Sequence, residues 1–238
     1  MGDEIMLIIS CDEMKAMDSY AIDNIGIPSI VLMENAALKV IKNIDLNKVN
    51  SATIICSVGN NGGDGLAVAR HLILNGKNVD LFIIGNLNRG TKDFNINLNI
   101  LKNMDVDFVH ISKNQDLNIV EKAINKNDLT IDSIFGIGLT RNISGIFYDV
   151  VEIINKHSKS ILAIDIPSGL NGDTGEIMGI AIKANKTITF HHIKNGLVNS
   201  EEYTGKIVVE NIGIPNKVTL GVLGTQCHQL KEKQKEKS

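Results

Sequence analysis

The stretch that decides the fold is Thr53-Ile54-Ile55-Cys56-Ser57-Val58-Gly59-Asn60-Asn61-Gly62-Gly63-Asp64-Gly65. An apolar run ends in a polar, glycine-rich segment, and a helical pattern opens at Leu66. A strand, a turn and a helix in this order are typical of the βα units of α/β proteins. Such a turn lies at the carboxyl end of its strand, where backbone N–H groups and the helix dipole can hold a phosphate. Its four glycines let the backbone approach a ligand closely and reach positive φ.

The spacing of these glycines fits neither common nucleotide signature. It does not give G-x-G-x-x-G, and no Lys-Ser or Lys-Thr follows as a P-loop requires. Two interpretations stand, a phosphate-binding turn and a tight connector whose glycines only allow close packing. The polar residues Asn60, Asn61 and Asp64 favour the first.

From residue 53 onward, strand and helix patterns alternate. Strands are predicted at 53–57, 79–84, 106–111, 129–134, 160–165 and 186–190, with a last short strand at 206–209. Helices are predicted at about 64–75, 91–104, 114–126 and 144–157. Continuous apolar strands are typical of a parallel sheet covered on both faces. The predicted fold is therefore a three-layer α/β/α Rossmann-like sandwich with a mostly parallel central sheet.

Two further helices are predicted before the first of these strands. Ser10 and Glu13 have the spacing of a capping box, and apolar residues recur at helical spacing until Gly26. Residues 30–44 form the second helix, in which Glu34 and Asn35 are either exposed polar residues or site residues. Because both helices lie outside the βα repeat, we expect them to cover the sheet or to contact a partner subunit. The expected assembly is a homodimer.

Length and composition predict a single domain spanning residues 1–238, with a core at about 10–215 and a charged tail at 216–238. A formal net charge of −3 shows no bias toward nucleic acid or acidic membranes. The apolar run at residues 5–9 is too short for a signal peptide or a membrane span, so we expect a cytoplasmic protein. The three cysteines have no C-x-x-C spacing, which argues against disulfides and zinc and favours apolar filling.

Carboxylates end two of the apolar strands. Asp132 precedes a second glycine-containing segment, and Asp165 begins the segment Asp165-Ile166-Pro167-Ser168-Gly169-Leu170-Asn171. A carboxylate at such a position is desolvated unless it is paired, hydrogen-bonded or bound to a cation. Either acid alone is also compatible with a cap or a turn. Because parallel strands end at one edge of the sheet, we expect both acids and the first glycine segment to share a site.

The sixth strand is followed by His191, His192 and Lys194. Adjacent residues on a strand point to opposite faces, so a metal bound by both histidines is not expected. Lys194 is either a solvated charge or a cation placed near a ligand, and Arg141 has the same two interpretations.

These motifs together resemble the YjeF N-terminal domain family, which includes the NAD(P)H-hydrate epimerases. The resemblance is carried by Gly59 to Gly65, by Asp132 through Gly138-Leu139 and by Asp165 through Leu170, in that order. It extends to Met33-Glu34-Asn35-Ala36, Asp173-Thr174-Gly175 and Lys194-Asn195-Gly196-Leu197, and so covers about residues 10–215. It implies interconversion of the R and S forms of NADHX and NADPHX, in which water has added to the nicotinamide ring, with a bound potassium ion.

The resemblance also implies roles for individual residues. The substrate would contact Asn60, Asn61, Gly62, Gly63, Asp64, Gly136, Ile137, Gly138, Leu139, Thr140, Arg141, Asn142 and Asp165. Asn61, Asp132 and Ser168 would be the potassium ligands, and their oxygens suit a hard cation. Asp165 and Lys194 are the catalytic candidates, with Asp165 serving as both acid and base. Ser57-Val58, where the family usually has Gly-Pro, and Ile137, where threonine is common, depart from its pattern.

Three functions are considered for a protein with these residues. Epimerisation is the function that the residues favour most. A Rossmann-type dehydrogenase is disfavoured by the glycine spacing, and a non-catalytic binding module of the same fold is disfavoured because the acids are intact. Bacterial members of the family often carry a second, kinase-like dehydratase domain, which implies an ADP- or ATP-dependent NAD(P)H-hydrate dehydratase as a functional partner.

Overall fold

Seven parallel strands form the central sheet of the computed structural model, which describes residues 7–224. The strands are β1 Ile8–Ile9, β2 Ser51–Cys56, β3 Asn78–Ile84, β4 Val109–Ile111, β5 Leu129–Ser133, β6 Ile161–Ile164, β7 Lys186–Phe190, β8 Ile193–Lys194 and β9 Lys206–Glu210. Their order in the sheet is β4-β3-β2-β5-β6-β7-β9, while β1 and β8 pair separately. The expected parallel α/β fold is confirmed.

Helices cover both faces of this sheet. They are α1 Cys11–Asp23, α2 Ser29–Lys42, α3 Asn60–Leu74, α4 Lys92–Asn103, α5 Leu117–Lys126, α6 Ile146–His157, α7 Glu201–Thr204 and α8 Asn216–Leu223, with short 3-10 helices at Leu87–Arg89, Asn114–Asp116 and Asn195–Leu197. One hydrophobic core joins the sheet to α1–α4 and α8, and a second joins it to α5 and α6. Ile54 and Ile55 are fully buried in the first and second core respectively, which is why the strands are apolar without interruption.

The strand order places a topological switch point between β2 and β5. The chain runs outward from β2 through β3 to β4 and then returns to β5 on the other side of β2. In the register of that pair, Ile55 lies opposite Asp132. Open parallel sheets bind ligands in the crevice at such a point, beyond the carboxyl ends of the strands.

The two N-terminal helices are present and pack within the chain. The predicted capping box starts α1: the Ser10 hydroxyl accepts from the Glu13 N–H at 3.2 Å, and the Glu13 carboxylate accepts from the Ser10 N–H at 2.7 Å. The Cys11 N–H donates to the Asp173 carboxylate at 2.7 Å, so the start of α1 is fixed to the segment that follows β6.

Two parts of the fold differ from the sequence-based expectation. The charged tail expected from residue 216 begins instead with α8, whose Val218 and Leu223 are buried, and the rest of that tail lies outside the described residues. The pairing of β1 with β8 was not predicted. It sets Ile9 opposite Lys194 and buries both residues.

Within residues 7–224, no helix combines the length and apolar character that crossing a bilayer requires. Cys11 and Cys56 are free and buried, and burial raises the pKa of each thiol to about 12. Both therefore act as apolar filling, as expected, while Cys227 lies outside the described residues.

Candidate active site

A cavity of about 720 Å³ opens at the carboxyl ends of β2, β3, β5, β6 and β7, and α1 and α2 form its outer wall. Its polar lining residues include Lys15, Asp18, Ser19, Ser29, Ser57, Asn60, Asn61, Asp64, Thr91, Asp93, Asp165 and Lys194. The cavity lies at the switch point between β2 and β5, where the strand order places a ligand site. It brings together the first glycine segment and Asp165, as the sequence predicts.

The first glycine segment is the start of a helix rather than a loop. Gly59 is the N-cap of α3, which begins at Asn60, four residues before the predicted start. None of its four glycines has a positive φ, so the expectation of left-handed backbone here is wrong. These glycines instead let α3 pack closely against the ends of β2 and β5. A Cβ on Gly62 would lie 1.8 Å from the Ser57 carbonyl oxygen, and one on Gly65 would lie 2.0 Å from the Ser133 hydroxyl.

These contacts explain how a polar turn packs directly against the sheet. Gly62 and Gly63 are buried and do not line the cavity, while Asn60, Asn61 and Asp64 do. The glycines therefore hold the first turn of α3 close to β2 and β5, and the polar residues between them face the cavity.

Asn61 carries an unsatisfied amide. Both its nitrogen and its oxygen are buried without a hydrogen-bond partner, and a Cβ on Gly136 would lie 3.6 Å from its Cβ and Cγ atoms. A buried amide without partners costs free energy, so such a group in a cavity indicates a missing ligand.

Asp132 and Ser168 lie together behind the cavity. The Asp132 carboxylate is fully buried and accepts from the Ser168 N–H at 2.8 Å, the Ser168 hydroxyl at 2.6 Å and the Ile134 N–H at 3.2 Å. Burial raises its pKa to about 6 although these hydrogen bonds lower it. Asp132 lies near the end of β5 and Ser168 follows the neighbouring strand β6, and neither residue lines the cavity.

Asp165 has a constrained backbone. Its φ of +67° lies in the left-handed region, which Asp tolerates better than most residues, and its N–H donates to the Ile188 carbonyl at 2.7 Å. Its carboxylate accepts from the Lys194 ammonium at 2.6 Å and from the Thr189 hydroxyl at 3.1 Å. The turn thereby directs the carboxylate into the cavity.

Lys194 is 1% exposed and is held by three acceptors. Besides Asp165, its ammonium donates to the Thr189 hydroxyl at 2.9 Å and the Phe190 carbonyl at 3.0 Å. Lys194 is therefore not a solvated charge, and it lines the cavity, while its placement near a ligand stays a prediction. All three N–H bonds of the ammonium are thus used within the protein, and one of them holds the Asp165 carboxylate.

Three more carboxylates line the cavity. Asp64 was expected there, whereas Asp18 and Asp93 were not. Burial raises the pKa of Asp18 to about 6, against the effect of Lys194. Burial also holds the pKa of Asp64 well above its ordinary range, and nearby Asp165, Asp18 and Asp93 add to the shift. Asp18 lies one helical turn after Met14 and one before Ile22, both of which line the cavity, but only the fold shows which face of α1 that is.

Only part of the second glycine segment, residues 136–142, lines the cavity. Gly136, Ile137, Gly138 and Leu139 line the cavity, whereas Thr140, Arg141 and Asn142 are exposed and do not. Ile137 and the Ser57-Val58 pair, which depart from the family pattern, both lie in the lining.

Glu34 and Asn35 serve neither of the roles considered for them. Glu34 pairs with Arg70 and lies 2.7 Å from the His71 ring, which joins α2 to α3. The Asn35 amide donates to the Ile212 carbonyl at 2.7 Å. Both residues therefore fix α2 against the rest of the chain.

The His191 and His192 rings lie side by side, so the expectation that they point to opposite faces is wrong. His191 follows β7 with φ +64°, so the rings of His191 and His192 lie 4.1 Å apart and both contact the Thr219 hydroxyl. No cluster of three or more His, Cys, Asp or Glu able to hold a metal is found within residues 7–224.

Comparison with known proteins agrees with this geometry. The family described as YjeF-related protein N-terminus matches residues 29–196. An NAD(P)H-hydrate epimerase of Anaerococcus prevotii is 40% identical over 92% of this chain and 100% of its own length. One of Oenococcus oeni is 38% identical over 87% of this chain and 97% of its own. The crystal structure of the yeast protein ynu0 has the same fold, with a TM-score of 0.77 at 24% identity, over 91% of this chain and 93% of that one. The chain belongs to the YjeF N-terminal domain family.

Proposed function

We propose that this protein is an NAD(P)H-hydrate epimerase that interconverts the R and S forms of NADHX and NADPHX. The observation that carries the proposal is the Asp165–Lys194 ion pair, 2.6 Å long, in the same cavity as the polar first turn of α3. The curated relatives named as epimerases match over most of the chain.

The chemistry needs an acid and a base at one carbon. That carbon of the hydrated ring bears a hydroxyl and the ring nitrogen, whose lone pair expels the hydroxyl once a proton has been supplied. Water then adds to the resulting iminium carbon and gives up a proton. Asp165 supplies or accepts the proton, and Lys194 holds its carboxylate in place.

The polar groups of α3 bind the rest of the substrate. Asn60 and Asn61 face the cavity from the first turn of α3, where backbone N–H groups and the helix dipole favour a phosphate, and Asp64 faces it from the next turn. Segment 136–139 lines the cavity beside them and is proposed to contact the ring.

Potassium is the proposed cofactor, held by Asn61, Asp132 and Ser168. The donor set fits, since it offers an amide oxygen, a carboxylate and a hydroxyl, and both polar atoms of the Asn61 amide are buried without a partner. Bound there, the ion would supply a positive charge near the substrate and offset the buried charge of Asp132.

We further propose a cytoplasmic homodimer that works alongside an ADP- or ATP-dependent NAD(P)H-hydrate dehydratase. Free, buried Cys11 and Cys56 suit a reducing compartment. Val31 and Leu38, exposed on α2, offer an apolar surface to a second copy. Light scattering at micromolar concentration tests the dimer, and a particle of 25.9 kDa would contradict it.

The activity is tested with purified R and S hydrates of both cofactors. Each is incubated with the protein, and the ratio of the two forms is followed by chromatography. We expect either form to approach the same equilibrium mixture much faster than without protein. A ratio that changes no faster than the protein-free control would overturn the proposal.

A further inference from the structure

Inversion at the hydrated carbon involves both faces of the substrate ring. The hydroxyl leaves from one face and water enters from the other, so two proton transfers occur on opposite sides of the ring. A single carboxyl in a fixed position reaches one of these sides. Asp165 is fixed, because its backbone and its carboxylate are both held by hydrogen bonds. The site therefore needs a second proton-carrying group.

We propose that Asp18 is a second catalytic carboxyl of this site, which exchanges a proton with the substrate oxygen on the ring face opposite Asp165. This inference rests on the proposed epimerase function. It assigns the proton transfer on the second face of the substrate ring to α1, one of the two helices that lie outside the βα repeat.

The position of Asp18 supports this role. It lines the cavity from α1, in a stripe with Met14, Lys15, Ser19 and Ile22, whereas Asp165 lines it from the end of β6. Burial and the charges of Lys194 and Asp165 act on the Asp18 carboxyl, and no hydrogen bond from residues 7–224 does, so the carboxyl is available to a ligand in the cavity.

The helix that carries Asp18 is rigidly placed. The capping box fixes its first turn, and the Cys11 N–H donates to Asp173, in the segment that follows Asp165. Met17 and Ala21, on either side of Asp18 in the sequence, are fully buried in the core. A carboxyl on such a helix keeps a constant position relative to Asp165.

Asp165 and Asp18 differ in the charged groups that surround them, and this difference gives them different roles. Asp165 pairs directly with the Lys194 ammonium, 2.6 Å away. Asp18 has no such partner, although it senses the charges of Lys194 and Asp165, and burial raises its pKa to about 6. The other charged groups facing this part of the cavity are Lys15, Asp64 and Asp93. Asp165 thus has an ammonium partner, while Asp18 has none and retains its proton at higher pH than an ordinary carboxyl.

Each proton, bond and electron pair of the proposed step is accounted for. The Asp18 carboxyl gives its proton to the departing hydroxyl, the C–O bond breaks, and the ring nitrogen lone pair forms the C=N bond. Water on the other face forms the new C–O bond, the C=N electrons return to nitrogen, and the Asp165 carboxylate takes the released proton. One turnover moves one proton from Asp18 to Asp165, which prepares the site for the reverse reaction.

Oxygen exchange with ¹⁸O-labelled water tests this assignment. Pure R or S hydrate is incubated with wild type, Asp18→Asn, Asp165→Asn and the control Asp23→Asn, which changes an exposed carboxylate on the same helix. Chromatography measures inversion, and mass spectrometry measures label gained by substrate that has not inverted. Rates without protein are subtracted.

We expect Asp18→Asn to slow inversion by about 10²-fold or more, while Asp23→Asn leaves it unchanged. One diastereomer should still exchange its oxygen with retention in Asp18→Asn, and the other diastereomer should do so in Asp165→Asn. Each variant keeps the carboxyl that serves one face, so the two patterns must be opposite. Asp18→Glu, which keeps a carboxyl, should restore much of the inversion that Asp18→Asn loses.

Several outcomes would overturn the inference. Inversion by Asp18→Asn within about threefold of wild type removes Asp18 from the chemistry. Equal loss of exchange from both diastereomers, in Asp18→Asn and Asp18→Glu alike, shows a structural role. The opposite-face pattern appearing in Asp64→Asn instead assigns the second carboxyl to α3. Absence of inversion by the wild-type protein would count against the epimerase function itself, so the two failures are distinguishable.

Discussion

The Lys194 ammonium lies 2.6 Å from the Asp165 carboxylate, although 28 residues separate them in the sequence. The Lys194 side chain is 1% exposed and that of Asp165 is 14% exposed, so water screens the pair poorly. The Asp165–Lys194 ion pair depends on two features that no local sequence pattern indicates. These are the left-handed backbone of Asp165 and the hydrogen-bonded pairing of strands β1 and β8.

Replacing Lys194 by Met should destabilise the protein by about 3–5 kcal/mol, because removal of one partner leaves a nearly buried charge unpaired. Urea unfolding measures the loss. The double variant Lys194→Met/Asp165→Asn is the control, and it should recover part of that stability since no charge remains. A single-variant loss below about 1 kcal/mol would show that the ion pair contributes little.

Asp165→Asn should slow epimerisation by about 10² to 10⁴-fold, since the amide keeps the size of the carboxyl but cannot exchange a proton. Asn also tolerates the left-handed backbone at this position, so the fold should be retained. Substrate binding, measured by equilibrium titration, should change far less than the rate. A near-normal rate would remove Asp165 from the mechanism.

Potassium should stabilise the protein more at pH 8 than at pH 5. Burial raises the pKa of Asp132 from 3.8 to about 6, so the stability due to its bound proton is present below pH 3.8 and is lost as the pH rises through 6. This loss amounts to about 3 kcal/mol. A cation bound by the carboxylate offsets the loss only when Asp132 is ionised.

Thermal unfolding with potassium chloride or choline chloride at equal ionic strength measures this effect. Asp132→Asn is the matched variant and should lose the pH dependence of the potassium shift. In activity assays, added potassium should partly restore Asp132→Asn and leave Asp165→Asn unchanged. Equal stabilisation of the wild type at both pH values would contradict the assignment of Asp132 as a ligand.

Gly62→Ala should destabilise the protein by at least about 2 kcal/mol. Alanine is favoured over glycine within a helix by about 1 kcal/mol, but its Cβ would lie 1.8 Å from the Ser57 carbonyl, and relieving that overlap moves the backbone. Gly138→Ala is the control, because nothing lies within 4 Å of its Cβ position and its φ is not left-handed. If Gly62→Ala unfolds at the same or higher urea concentration than wild type, the close approach is not a constraint.

The layered α/β fold follows from patterns in the amino-acid sequence alone. Runs such as Ile161–Ile164 have no polar alternation, which requires a strand buried on both faces, and helical patterns between such runs require parallel crossovers. The capping box at Ser10 and the strand-end positions of Asp132 and Asp165 were also readable, because capping, periodicity and strand ends are local properties. Because parallel strands end at the same edge of a sheet, the sequence also predicts that these two acids lie at one site.

Which face of each element meets the site depends on contacts between elements that are distant in the sequence. The sequence shows Asp18 as one polar residue of an amphipathic helix, and the attachment of α1 to the segment that follows β6 makes Asp18 part of the cavity wall. Likewise, the glycines before Leu66 read as a loop, because the helix propensity of Gly is poor. Their lack of side chains instead lets α3 start at Asn60 against Ser57 and Ser133, a contact between elements that no local pattern encodes.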